Sequence, residues 1–223
     1  ENKVVFQTGS QQRTEFGGKF RKTVELIRSG AIGEIKKIRV CVGGPPKPCD
    51  LPTEKKPEGI DWDAWLGPAP VRGYNKALCP DDVHNHFPRW RSYTEYCNGY
   101  LADMGAHHFD IGLWGMDADY TGPVKVIPPK DGVKELRMIY KNGIEVVHGS
   151  IPEWRGGTIF YGSEGTIWVD RGPWKSDPAN LLKDYKTTVS LRKPRNHHDE
   201  WLDCIHSGEL PLAHPWFDES RFR

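Results

Sequence analysis

Residues 98–116 read NGYLADMGAHHFDIGLWGM. No proline interrupts the residues that follow Gly99, and the spacing predicts one helix over the stretch. At about 100° per residue, Asp103, His107, Asp110 and Trp114 fall in one narrow stripe. Leu101, Met104, Phe109, Ile111, Leu113 and Met116 occupy the rest of the circumference. The pattern describes a mostly buried helix with one polar stripe. Carboxylates and imidazoles in such a helix must be satisfied by each other, by a ligand or by a wet cavity. One explanation is a hydrogen-bonded core network. The other is an acid/base site, in which Asp103, one turn before His107, fixes the tautomer of the imidazole and raises its basicity. Gly99, Gly105 and Gly112 leave gaps through which a ligand or another backbone can approach.

Composition limits what this helix can belong to. At 223 residues the chain is one large domain or one and a half. A formal net charge of +1 gives no electrostatic footprint for nucleic acid or an anionic membrane. No apolar run approaches the ~20 residues that span a bilayer, and the opening ENKVVFQTGSQQR is not a signal peptide. The five cysteines (Cys41, Cys49, Cys79, Cys97, Cys204) form no C-x-x-C pair, so reduced thiols are expected. Nine tryptophans favour a compact fold with a substrate cleft over a disordered chain.

Outward from the helix, residues 3–8 (KVVFQT) read as a buried strand, and Phe20, Val24, Leu26 and Ile27 recur at helical spacing before Gly30. Residues 34–42 alternate as a strand with one wet face. Prolines and glycines from Gly43 to Gly59 forbid regular structure, and Trp62, Trp65 and Leu66 share a single helical turn. Residues 72–96 are irregular, aromatic and rich in His and Arg, the natural place for a substrate wall. Arg89, Trp90, Arg91 and Tyr93 are the substrate-binding candidates there, with Trp154 and Arg155 similar candidates further on. The chemistry of these side chains suits stacking on a sugar ring and hydrogen bonding to its hydroxyls. Beyond the helix, residues 125–127, 134–140, 144–151, 158–161 and 166–170 are short β-rich runs. Asn142-Gly143 is a hairpin signal, and residues 162–165 a looser one. They predict an antiparallel meander with one face on the helix and the other, if uncovered, open to a partner subunit. A last helix over 196–207 stops at Gly208.

The runs VFQTGSQQR, ELIRSGAIGEIKKI, EGIDWDAWLGPAP, FPRWRSYTEYCNGYLADMGAHHFDIGLWGM and NHHDEWLDCIHSG, in this order, resemble the glucose-fructose oxidoreductase, inositol dehydrogenase and MocA family from Val4 to about Ala213. The resemblance implies an N-terminal Rossmann-type dinucleotide-binding domain and a C-terminal α/β (α+β) domain. The latter's open, mainly antiparallel sheet packs on helices, carries the substrate site and builds a homo-oligomer. It implies NAD or NADP as cofactor and a sugar or polyol as substrate. The family's glycine-led D-x-x-x-H motif with a further Asp matches Gly99, Asp103, His107 and Asp110. On that match His107 is the acid/base, Asp103 assists, and Asp110 supports.

Two departures qualify the resemblance. First, no G-x-G-x-x-G occurs in the sequence, and the family's Glu-Lys-Pro motif has no counterpart ahead of the first predicted strand; second, the sequence reads HPWFDESRFR where the family continues into another helix. Glu54-Lys55-Lys56-Pro57 lies in the proline-rich loop and reads as a solvated charge run. The expectation is therefore a remnant last strand of the dinucleotide-binding domain (1–13), a substrate and oligomerisation domain (14–213) and an atypical tail (214–223). By itself this chain should bind the dinucleotide weakly or not at all, with Thr8, Gly9 and Ser10 the candidates to line its nicotinamide side. Two readings from other classes stay open. One is a non-catalytic sugar-binding or scaffold domain. The other is a metal-dependent carbohydrate hydrolase or lyase using Asp103, His107 and His108 or Asp110, joined by His197 and His198. No metal ligand is assigned in the preferred reading. His84-Asn85-His86 spells a nuclease signature only by accident, because the chain shows no basic groove. Location is left open, cytoplasmic by default and exported in some relatives.

Overall fold

A computed structural model describes residues 4–81, 88–119, 121–130, 132–150, 153 and 156–213. The tail 214–223, His84-Asn85-His86, Trp154 and Arg155 lie outside the described residues. The chain divides into two compact units. The first comprises Glu1–Val42 and His107–Arg223, the second Gly43–Ala106.

The first unit is built on a seven-stranded sheet. Its strands are β1 (Ile35–Cys41), β2 (Lys125–Ile127), β3 (Leu136–Ile139), β4 (Glu145–His148), β5 (Gly157–Gly162), β6 (Thr166–Val169) and β7 (Trp174–Asp177), in the order β2-β3-β4-β1-β5-β6-β7. Five of the pairings are antiparallel, and β1–β4 alone is parallel. The predicted meander thus exists, but β1 is inserted at its centre, between β4 and β5. Alternation sets the faces. Ile38, Val40, Phe160, Ile167 and Val169 face a core shared with Phe20 and Val24 of α1 (Lys19–Arg28) and with Ile111 and Trp114. On the opposite face Cys41, Ile159 and Trp168 cluster, and Trp168 Nε1 donates to Gly156 O at 2.7 Å. Close approach at the sheet's end demands a glycine: a Cβ on Gly162 would stand 2.0 Å from Ile32 O.

Residues 4–8 do not form the predicted strand. Val4 and Phe6 stay exposed because the segment runs beside α6 (His197–Ser207) instead of entering the sheet. Trp201 Nε1 donates to Val5 O, Gln7 Nε2 to Glu200 Oε2, and Thr8 N to Ala213 O. The apolar run that suggests a strand supplies backbone acceptors to α6 rather than rungs to a ladder. The end of α6 follows its residues: Asn196 Oδ1 accepts from Asp199 N, and Gly208 closes the helix at φ 76°.

The second unit is mostly irregular and packs on aromatic rings. Trp62, Leu66, Tyr74, Leu78 and Tyr93 are its buried core. The predicted single turn is α2 (Trp62–Leu66), whose N-cap Asp61 accepts from Ala64 N. Arg72 replaces sheet hydrogen bonds here, donating to Cys49 O and Leu51 O, while Trp62 Nε1 donates to Arg72 O. In the 54–57 run Lys55 and Lys56 are exposed, Lys56 donating to Ile60 O, while the half-buried Glu54 accepts from Lys76 N and so is not simply solvated.

The helix predicted over 98–116 forms as two segments, α3 (Gly99–Asp103) and α4 (Gly105–Gly115). Met104 stays right-handed (φ −78°, ψ −26°) and its N–H reaches Tyr100 O, but regularity lapses there. Gly99 itself is left-handed (φ 74°), and a Cβ on it would lie 2.5 Å from Pro46 N. α5 (Leu181–Asp184) completes the helices; none of the described ones is long and apolar enough to cross a membrane.

Candidate functional site

His107 opens the part of α4 that belongs to the first unit, and it lines a cleft of about 560 Å³ with Gly9, Gln11, Glu15, Phe16, His197 and His198. Three parts of the chain meet there: the turn after residue 8, the start of α4 and the first turn of α6. Each is held by identifiable bonds. His197 spends both ring nitrogens on structure, Nε2 on Thr8 O (3.0 Å) and Nδ1 on Thr14 Oγ1 (3.0 Å). Its backbone N donates to Glu15 Oε1 at 2.8 Å, so the carboxylate sits on the N-terminal end of α6, where the helix dipole favours it. His198 lines the cleft beside it. Gln11 Oε1 is buried with no hydrogen-bond partner among the described residues.

One turn along α4, Asp110 is committed elsewhere. Arg13 Nε and Nη2 donate to its two oxygens at 2.8 and 2.6 Å, and the same guanidinium reaches Asp119 and Leu212 O. The arginine also lies over the Trp114 ring at 5.0 Å. Burial pushes the Asp110 carboxyl up, with Arg13 pulling against it. Burial likewise works against the Arg13 charge, but the bonds to Asp110 and Asp119 outweigh it and the guanidinium holds its proton beyond the ordinary range. Asp110 therefore anchors α4 and is not presented to a ligand.

His108 points the other way, into the core, as the helical projection expects. It is 1% exposed, with Nδ1 3.2 Å from Thr158 Oγ1 and Nε2 3.5 Å from Asp170 Oδ1. Burial lowers its pKa to about 4, Asp170 opposing the fall. The metal-dependent reading needs Asp103, His107 and His108 or Asp110 on one ion, but His108 and Asp110 are turned to other partners. Among the described residues no group of three His, Cys, Asp or Glu is placed to hold a metal.

The remaining predicted residues divide between the two units. Asp103 belongs to the second, where its Oδ2 pairs with Arg91 Nε at 3.1 Å. Arg91 also stacks over Trp90 at 4.3 Å, and Trp90 lines a cleft of that unit. Tyr93 is 5% exposed, a core residue beneath the Lys47 ammonium, and Arg89 is exposed. Of the nicotinamide-side candidates, Gly9 lines the His107 cleft with open space where a Cβ would stand. Thr8 Oγ1 is spent on Ala213 O, and Ser10 precedes the short 3-10 turn Gln11–Arg13. The sequence reading missed Gln11, Glu15 and Phe16. Only the paired histidines after the Asn196 cap gave a signal, because nothing in a polar turn announces what it will face.

The model of the oxidoreductase family, C-terminal alpha/beta domain, of the glucose-fructose oxidoreductase, inositol dehydrogenase and MocA type, matches residues 47–209. A structure described as that of aldose-aldose oxidoreductase from Caulobacter crescentus complexed with glycerol is similar to the chain at 13% identity and a TM-score of 0.49. The match covers 94% of this chain and 56% of that one, so the chain spans little more than half of that protein's length. No curated protein matches the chain. A nicotinamide cofactor finds a partial fit. The unpartnered Gln11 Oε1 and the open backbone at Gly9 suit a carboxamide and a flat ring, whereas no G-x-G-x-x-G turn for a pyrophosphate occurs in the sequence.

Proposed function

This chain belongs to the oxidoreductase family of the glucose-fructose oxidoreductase, inositol dehydrogenase and MocA type, and on that premise we propose that it is the substrate-handling part of an enzyme that oxidises or reduces a carbinol of a sugar or polyol with NAD or NADP. The observation that carries the reading is His107 standing in an open cleft with Gln11, Glu15 and His198. When bound, the nicotinamide supplies the hydride acceptor at the carbinol carbon. His107 takes the hydroxyl proton as the carbinol is oxidised and returns it in the reverse direction. Gln11 Oε1 accepts a hydrogen bond from the ligand, ending the isolation of a buried acceptor. Glu15 keeps lone pairs beyond the one on His197 N and accepts from substrate hydroxyls. Asp110, whose two oxygens both accept from Arg13, is not assigned to proton transfer.

The test uses the 223-residue chain with NAD or NADP and a panel of aldoses and polyols, following nicotinamide absorbance. Turnover is expected only at millimolar cofactor, because the sequence holds no pyrophosphate-cradling turn, and His107→Asn should lower it about a hundredfold or more. Binding of reduced cofactor, read by energy transfer from tryptophan, should change by no more than a few-fold in that variant. Turnover indifferent to His107 would remove the acid/base assignment. Absence of cofactor binding up to millimolar concentration would overturn the redox reading for this chain and leave sugar binding without hydride transfer.

A further inference from the structure

The second unit carries a cleft of about 550 Å³ whose lining includes Trp65, Pro68, Pro70, Trp90, Glu95 and Tyr96. Its size is that of a small-molecule site, and its walls are held in place. Trp65 stacks on Trp62 with ring centroids 4.6 Å apart and planes within 9°, and Trp62 is pinned in turn against Tyr74 and Arg72 O. Tyr96 leans on Trp65 at 5.5 Å. Rings fixed in this way lose little entropy when a ligand arrives.

One charged side chain lines the cleft. Glu95 accepts from Cys49 N with both oxygens at 3.0 Å and from Thr94 Oγ1 at 3.1 Å, which leaves lone pairs to spare. The Cys49 N–H, with Arg72 adding its charge, holds this carboxyl below the usual range, so it is an acceptor only at neutral pH.

These features select among ligands. A cation on the Trp90 ring is disfavoured, because the Arg91 guanidinium already lies over it. A proline-rich peptide offers few N–H donors to an acceptor-only carboxylate. A neutral molecule with flat C–H faces and several hydroxyl donors meets both demands.

We propose that this aromatic cleft binds a pyranose ring, stacked on Trp65 and Trp90 and donating hydroxyl hydrogen bonds to Glu95. The site stands on the second unit alone and does not rest on the redox reading, so its test needs neither cofactor nor turnover. Calorimetric titration of the 223-residue chain with cellobiose, maltose and lactose should show saturable, millimolar binding by at least one. Sorbitol, with hydroxyls but no ring, should bind far more weakly. Trp65→Ala and Trp90→Ala, and the milder Glu95→Gln, should each weaken disaccharide binding about tenfold. Circular dichroism checks that each variant keeps its fold; where a tryptophan variant does not, Glu95→Gln decides. No saturable binding by any of the three disaccharides, sorbitol bound as tightly and weakened equally by the tryptophan variants, or affinity unchanged in the folded variants would overturn the proposal. So would a proline-rich peptide binding in the sugars' place.

Discussion

His108 and Arg13 show how single residues pay for burial in opposite ways, the first by staying neutral and the second by staying paired. With its pKa near 4, His108 is neutral across the physiological range. An unfolded histidine takes its proton near 6.5. Between those two values the unfolded chain binds a proton that the folded chain refuses, so stability rises with pH. It is lost as pH falls from about 6.5 to about 4, by up to about 3 kcal/mol at 1.36 kcal/mol per unit. Urea midpoints measured from pH 7 to pH 4 should fall through this window, and His108→Gln should flatten that slope. An equally steep slope in the variant would place the acid sensitivity elsewhere. Arg13 is 7% exposed, and its carboxylate partners are 14% and 18% exposed. Arg13→Met leaves both unpaired and should cost about 3–5 kcal/mol by chemical denaturation. Replacing the two aspartates as well, with Asp110→Leu and Asp119→Leu, should recover much of that loss, since the penalty comes from the orphaned charges.

Among the elements, α3 and α6 are the most exposed to single changes. Gly99 combines a left-handed backbone with backbone atoms of residues 44–46 where a Cβ would go. Gly99→Ala should therefore destabilise the chain by about 2 kcal/mol or more, whereas the same change at Gly122, with open space around it, should cost far less. Equal thermal midpoints for the two variants would show that the close approach relaxes freely. At α6, Asn196→Ala removes the acceptor for Asp199 N and should cost about 1 kcal/mol. The elements were unequally readable. α1, α2 and α6 carry caps, glycines and 3.6-residue spacing and stand within a residue or two of expectation. β7 was missed because WKSD has no alternation strong enough to mark a strand, and residues 4–8 were over-read because a short apolar run cannot tell ladder from loop.

For the whole molecule, the second unit is one excursion of the chain between β1 and the start of α4, while the sheet collects strands from both sides of that excursion. We propose that the chain self-associates through the sheet, on the face opposite the α1 core. Cys41, Val147 and Ile159 are buried beneath this face within one chain, and its surface is formed by the half-buried Tyr161 with the Arg39–Glu135 and Arg137–Glu145 pairs. Such a mixed surface suits an interface with a polar rim. Sedimentation velocity across a hundredfold range of concentration, about micromolar to about 100 μM, should show association, weakened by Arg137→Glu. A monomer throughout would remove the proposal.

By itself the sequence determined the class of the fold, the hairpin at Asn142-Gly143, the helix carrying His107 and the inward turn of His108. These follow from local chemistry, the period of apolar residues and the turn preferences of Asn and Gly. The tertiary structure alone decided which polar residues meet. His107 and Asp110 share a stripe in projection, yet Arg13 claims the carboxylate of Asp110, while Gln11, Glu15 and His198 line the cleft with His107. The same holds for β1, whose place between β4 and β5 depends on partners more than a hundred residues away. A carboxylate or a strand edge takes the partner that tertiary packing brings within reach, and no local pattern records which one that will be.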